Sequence, residues 1–144
     1  MKVLFDTTVL VAGIVEAHPH HDRCLPWLQK TRGTPVDPYV TAHTLAELYA
    51  VLSSYPTRPR ISPSMAARLV RENVSSRARV VTLTATDYLA AIDNMSELSL
   101  SGGVMYDALI VRAAQKVDAD RLLTLNARDF LRIWPGGAGV IGSP

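Results

Sequence analysis

The chain is poor in several things, and each shortage closes off a class of function. It has one cysteine, Cys24, so neither an intrachain disulfide nor a cysteine-built zinc cluster is available. That is compatible with a reducing cytoplasm, the expected compartment. It has no long hydrophobic run. The apolar opening stretch is interrupted by Asp6, Thr7, Thr8 and Gly13, which leaves it too short for a membrane span and without the layout of a cleavable signal. Aromatic residues make up only 6%, and none interleaves the arginines, which argues against base stacking along the arginine-rich segment.

What is present reads as one soluble globular domain over residues 1–144, with about 136–144 as a glycine-rich C-terminal edge strand or tail. Hydrophobic residues are 48% and charged ones 19%, enough for a sizeable core. Net charge is only +2, but the arginines are uneven. Between Thr57 and Arg79 stand Arg58, Arg60, Arg68, Arg71, Arg77 and Arg79, against one acid, Glu72. This segment is either a solvated helix face or a phosphate-contacting one, with Arg68 and Arg71 as the choice for that contact.

Hydrophobic patterning and turn residues predict alternating strands and helices. Strands are expected at Val3–Phe5, Tyr39–Thr41, Arg79–Leu83, Arg121–Thr124 and Val140–Ile141. Helices are expected at Thr7–Val15, through Trp27 and Leu28, at Ala42–Ser53, from Ser62-Pro63 to about Val74, after Thr84, at Met105–Val117 and at Ala127–Ile133. Pro26 is expected to limit where the second helix begins, and Gly33–Val36 to be a connector. Thr84 with Asp87 forms an imperfect capping box. The alternation predicts an α/β domain with a mostly parallel central sheet flanked by helices. Sites in such folds lie beyond the carboxyl ends of the strands.

Three acids stand in apolar surroundings. Asp6 closes the first strand, either as a helix N-cap or as a ligand. Glu47 is the only charged residue of its helix; it is a solvent-face residue, the partner of a capping box with Thr44, or a buried ligand. Asp107 opens a helix, where the dipole alone would favour it. Past the fourth strand, Asn126 offers a neutral oxygen and Asp129 a charged one, while Thr124 is placed to hold a ligand by hydrogen bonding. Carboxylates converging on one sheet edge resist ionising together. A hard divalent cation, Mg²⁺ or Mn²⁺, resolves that conflict and can activate a water against a phosphodiester.

Four segments, Val-Leu-Phe-Asp6-Thr-Thr-Val-Leu, Thr-Leu-Ala-Glu47-Leu-Tyr-Ala-Val-Leu, Tyr-Asp107-Ala-Leu-Ile-Val and Leu-Leu-Thr124-Leu-Asn126-Ala-Arg-Asp129-Phe, resemble the PIN domain, and within it the VapC family of bacterial toxins. The resemblance implies a single PIN-like domain that cleaves RNA with Mg²⁺ or Mn²⁺. It places Asp6, Glu47 and Asp107 on the principal acids and Thr7 or Thr8 on the small hydroxyl residue after the first. The family's fourth acidic position falls on Asn126, a departure for which Asp129 compensates. It further implies a cytoplasmic homodimer, an RNA substrate and a small antitoxin partner. A housekeeping PIN nuclease, or a degenerate PIN domain that binds RNA or protein without cutting, are the competing readings.

Other signals carry less. Gly137-Ala-Gly139-Val-Ile-Gly142 fits a dinucleotide fingerprint, but no helix follows it to hold a pyrophosphate. His18, His20 and His21 read as a solvated loop cluster rather than a zinc site. Trp27 and Trp134 read as core or interface anchors.

Overall fold

The computed structural model describes residues 1–30 and 33–144. Five strands, β1 (Lys2–Phe5), β2 (Asp37–Thr41), β3 (Arg79–Val81), β4 (Arg121–Leu123) and β5 (Ile141–Gly142), form one sheet. Its order is β3-β2-β1-β4-β5, and every pairing is parallel. Seven α-helices occur among the described residues: α1 (Thr7–Ile14), α2 (His21–Leu28), α3 (Ala42–Ser54), α4 (Pro63–Val70), α5 (Ala85–Glu97), α6 (Val104–Lys116) and α7 (Ala127–Ile133).

Strand periodicity splits the apolar residues between two cores. Val3 and Phe5 of β1, Val40 of β2 and Leu123 of β4 face a layer built from α1 to α4. Leu4, Val81, Leu122 and Ile141 face a layer built from α5 to α7. The result is a sheet sandwiched between helices, as the alternation predicted.

This arrangement sets where a site can form. From β1 the chain builds outward to β2 and β3, then returns to the other side of β1 with β4 and β5. Helix α1, which follows β1, packs on one face, and α7, which follows β4, packs on the other. The two connections therefore part at the carboxyl ends of adjacent strands and leave a crevice between them.

Local chemistry explains three helix starts. Thr41 Oγ1 accepts from the Thr44 amide at α3, and Ser62 does the same for Met65 at α4, with Pro63 in the first turn. At α5 both halves of the Thr84–Asp87 capping box are made. Three expectations are corrected. Pro26 lies inside α2 rather than limiting its start; it falls in the second turn of a helix that ends at Leu28, so only one carbonyl partner is lost. Helix α4 ends at Val70 and runs on as a π-helical turn, Arg71–Ser75. Strand β3 stops at Val81, because Thr84 already caps the next helix.

After α7 the backbone passes tightly around Trp134. A Cβ on Gly137 would lie 2.6 Å from that ring, while one on Gly139 would meet nothing within 4 Å. Gly137→Ala is therefore expected to lower unfolding stability in urea by about 1–3 kcal/mol through overpacking. Gly139→Ala should leave it within about 0.5 kcal/mol.

Candidate active site

The crevice at the ends of β1 and β4 is organised around one carboxylate. Asp6 is 3% exposed and occupies the N-cap position of α1, yet its side chain makes no capping hydrogen bond. Its Oδ2 instead accepts from Thr8 Oγ1 at 2.6 Å and from Thr124 Oγ1 at 2.8 Å. Both hydroxyls also accept in turn, Thr8 from the Leu125 amide at 3.1 Å and Thr124 from the Asn126 amide at 2.9 Å. The Asp6 amide donates to Leu123 O at 2.9 Å. Asp6 thus bolts the β1–α1 turn to the β4–α7 turn. Burial raises its pKa, and the Thr8 and Thr124 hydroxyls work against that rise.

Glu47 enters from α3 and is half-buried. The helix begins at Ala42 with Thr41 as its cap, so Glu47 is not the partner of a Thr44 capping box. Its pKa is raised first by desolvation and then by the Asp6 charge; His43, 3.7 Å away, and Thr7 oppose the rise. Thr7 is 3% exposed, and its hydroxyl, though close enough to bias Glu47, makes no hydrogen bond at ordinary distance.

Asp107 stands in the first turn of α6. A purely structural acid there would be held low by the helix dipole. Asp87, in the first turn of α5, is held low by its partners, Lys116 first. It is buried, salt-bridged to Lys116 at 2.6 Å and to Arg112 at 3.1 Å, and its pKa lies far below the ordinary carboxylate range. Asp107 does the opposite. Desolvation, followed by the charges of Asp6, Glu47 and Asp129, pushes it up to about 7. Four acids, from the β1–α1 junction and from α3, α6 and α7, therefore share one field with no cation among the causes of the shift.

An all-oxygen donor set in mutual repulsion fits a hard divalent cation. It is not a closed cage: among the described residues no group of three His, Cys, Asp or Glu side chains stands at ligand spacing. Mg²⁺ does not need one, since it keeps several waters and uses one or two carboxylates with substrate phosphates. Beside Glu47 opens a cleft of about 460 Å³, lined by Thr7, Thr8, His18, His20, Leu125 and Asn126 among others.

Residue by residue, the structure brings Asp6, Thr7, Glu47, Asp107, Thr124, Asn126 and Asp129 to this end of the sheet. Asn126 is exposed at the N-cap of α7 without capping it, and Asp129 is half exposed, 3.7 Å from Arg132. Arg68 and Arg71 lie elsewhere, exposed on α4 and at the start of the π-helical turn that follows it, where Arg68 pairs with Glu72 at 2.9 Å; neither lines the cleft. Sequence reasoning set His18 and His20 aside as solvated, yet both line the cleft. It missed His43 and Tyr106 altogether, whose rings stack between α3 and α6. His43 was findable as the residue one turn before Glu47; Tyr106 carried no signal beyond preceding Asp107.

The chain is similar to known proteins along most of its length. The family model of the PIN domain matches residues 3–133. Ribonuclease VapC27 of Mycobacterium tuberculosis is 31% identical over 123 residues, 85% of this chain and 83% of that one. Ribonuclease VapC40 of the same organism is 33% identical over 123 residues, 85% of each chain. Among solved structures, Rickettsia felis VapBC2 bound to a promoter DNA fragment superposes with a TM-score of 0.70 at 19% identity, covering 100% of this chain and 99% of that one. Mycobacterium tuberculosis VapC20, a sarcin–ricin loop cleaving toxin, gives 0.65 at 18% identity, covering 83% and 86%.

Two outcomes follow from the geometry. Asp107 ionises near pH 7 in the folded chain against 3.8 ordinarily, so the native state holds the extra proton between those values. Its contribution to stability is fully present below about pH 4 and is lost as pH rises through about 7. In metal-free buffer Tm should fall across that window, and Asp107→Asn should make the fall shallower. Second, Thr124→Val removes a donor to Asp6 and orphans the Asn126 amide, an expected loss of about 1–3 kcal/mol in chemical denaturation. Thr7→Val buries no unpartnered hydroxyl and should cost less than about 0.5 kcal/mol or stabilise.

Proposed function

The chain belongs to the PIN domain family, and on that footing we propose that it is a divalent-metal-dependent endoribonuclease, the toxin of a toxin–antitoxin pair. The observation that carries the reading is the set of acids around Asp6, with Asp107 pushed up to about 7 by desolvation and by its acidic neighbours. Carboxylates arranged at that energetic cost are costly to keep unless a cation offsets them. The ribonuclease relatives support RNA as the substrate, and the VapBC assembly among the structural neighbours supports a small antitoxin that covers the site.

Asp6, Glu47 and Asp107 would hold Mg²⁺ or Mn²⁺, with Asn126 and Asp129 supplying further oxygens at the outer side. Bound there, the cation supplies a water of lowered pKa and offsets charge developing on the phosphate oxygens. The chain's own residues do the rest. Asp6 is fixed by Thr8 and Thr124, so it needs no reorganisation when substrate arrives. Thr7 turns a spare buried hydroxyl toward Glu47. The reaction is phosphodiester hydrolysis: a water oxygen attacks phosphorus and the P–O bond opposite breaks. The attacking water must lose a proton, and one carboxylate of the set would accept it.

Three further elements belong to the same proposal. RNA approaches along α4, past Arg68 and Arg71. The toxin acts in the cytoplasm; among the described residues no helix is long and apolar enough to cross a membrane. It works as a homodimer, which the exposed Tyr88, Leu89 and Ile92 on α5 support as a face to be covered.

The test is incubation of purified protein with total cellular RNA, with Mg²⁺, with Mn²⁺ and with EDTA. Discrete metal-dependent fragments are expected, and Asp6→Asn or Asp107→Asn should lower their rate by at least about 100-fold. Mg²⁺ should also raise Tm more at pH 8 than at pH 6, because Asp107 must release its proton to bind. Intact RNA with metal present would move the chain to a domain that binds without cutting.

A further inference from the structure

The rings of His43 and Tyr106 lie 5.6 Å apart and 4° from parallel. This is an offset stack rather than a chance edge contact. The pair joins two helices that each carry a candidate ligand. His43 is one helical turn before Glu47 and 3.7 Å from its carboxylate, and Tyr106 directly precedes Asp107 in α6. Tyr106 is 56% exposed. An aromatic that open, in a chain with few aromatics, contributes little to the core, so burial does not explain its position. Its ring stays flat against the imidazole at the border of the acids, with most of its surface turned to water.

Resting on the nuclease reading above, we infer that the His43–Tyr106 stack is a platform for one unpaired nucleobase next to the phosphodiester that is cut. A scissile phosphate held beside Glu47 and Asp107 carries its own nucleoside within one residue's reach of the stack. Single-stranded RNA is commonly gripped by stacking its bases on Tyr and His rings, a contact that every base can make. The platform therefore selects single-stranded or flipped-out nucleotides over paired ones, and it does so by stacking rather than by charge. A protein surface is the weaker fit, because the ring borders the acidic crevice where a phosphodiester must enter.

The experiment uses the full chain and a short, unstructured oligoribonucleotide of mixed sequence, with affinity measured in EDTA so that nothing is cut. Tyr106→Ala should weaken binding roughly 5- to 100-fold without changing the slope of affinity against salt, since no phosphate contact is lost. Tyr106→Phe keeps the ring and should restore binding to within about twofold of wild type, which also controls for folding. An oligonucleotide with abasic sites should bind wild type as weakly as Tyr106→Ala binds the intact one, and the two losses should not add. Equal affinity of wild type and Tyr106→Ala, while wild type still cuts total RNA, overturns the platform alone. A loss that Phe does not restore, or a shallower salt slope, also overturns it. Absence of both binding and cutting by wild type overturns the nuclease reading and the platform together.

Discussion

One buried carboxylate governs the architecture of the crevice. Asp6 sits where two chain connections separate, and its Oδ2 takes hydrogen bonds from hydroxyls on both. A carboxylate in that position would be costly alone; held by Thr8 and Thr124, it becomes a fixed point. The same two hydroxyls satisfy the Leu125 and Asn126 amides. The β4–α7 turn therefore depends on Asp6 as much as Asp6 depends on it. The other acids come from separate elements, and the charge of Asp6 is felt at Glu47 and at Asp107.

The clamp can exist because of the strand order. Placing β1 between β2 and β4 sends α1 and α7 to opposite faces. The two apolar layers, fed by alternate residues of the same strands, keep those helices apart. A sheet wound in one direction would have closed that gap. Stability thus comes from the two cores, and the crevice is what their opposition leaves open.

The contrast between Asp87 and Asp107 separates scaffold from site. Both are first-turn acids in helices of the same layer. Asp87 is surrounded by Lys116, Arg112 and the Thr84 cap, and its charge is held firmly. Asp107 meets desolvation and other acids, and its charge is resisted. The first arrangement fastens α5 to α6. The second stores repulsion that the proposed cation would relieve, and stability in its absence and binding in its presence would then be coupled through one group.

The layered α/β plan was legible before any coordinates, because alternation of strand and helix patterns follows from local periodicity and turn chemistry. So was the position of Asp6 at the carboxyl end of the first strand. Helix starts at Ser62-Pro63 and Thr84 were legible for the same local reason. Pro26 was misjudged, because the tolerance of a short helix for a lost carbonyl partner depends on what packs around it. Only the folded chain could decide that Asp6 clamps rather than caps, that Asp87 is paired and Asp107 is not, and that His43 meets Tyr106. Those outcomes turn on distance and burial between segments far apart in sequence, and residue types fix the chemistry available to each segment without fixing which segments meet.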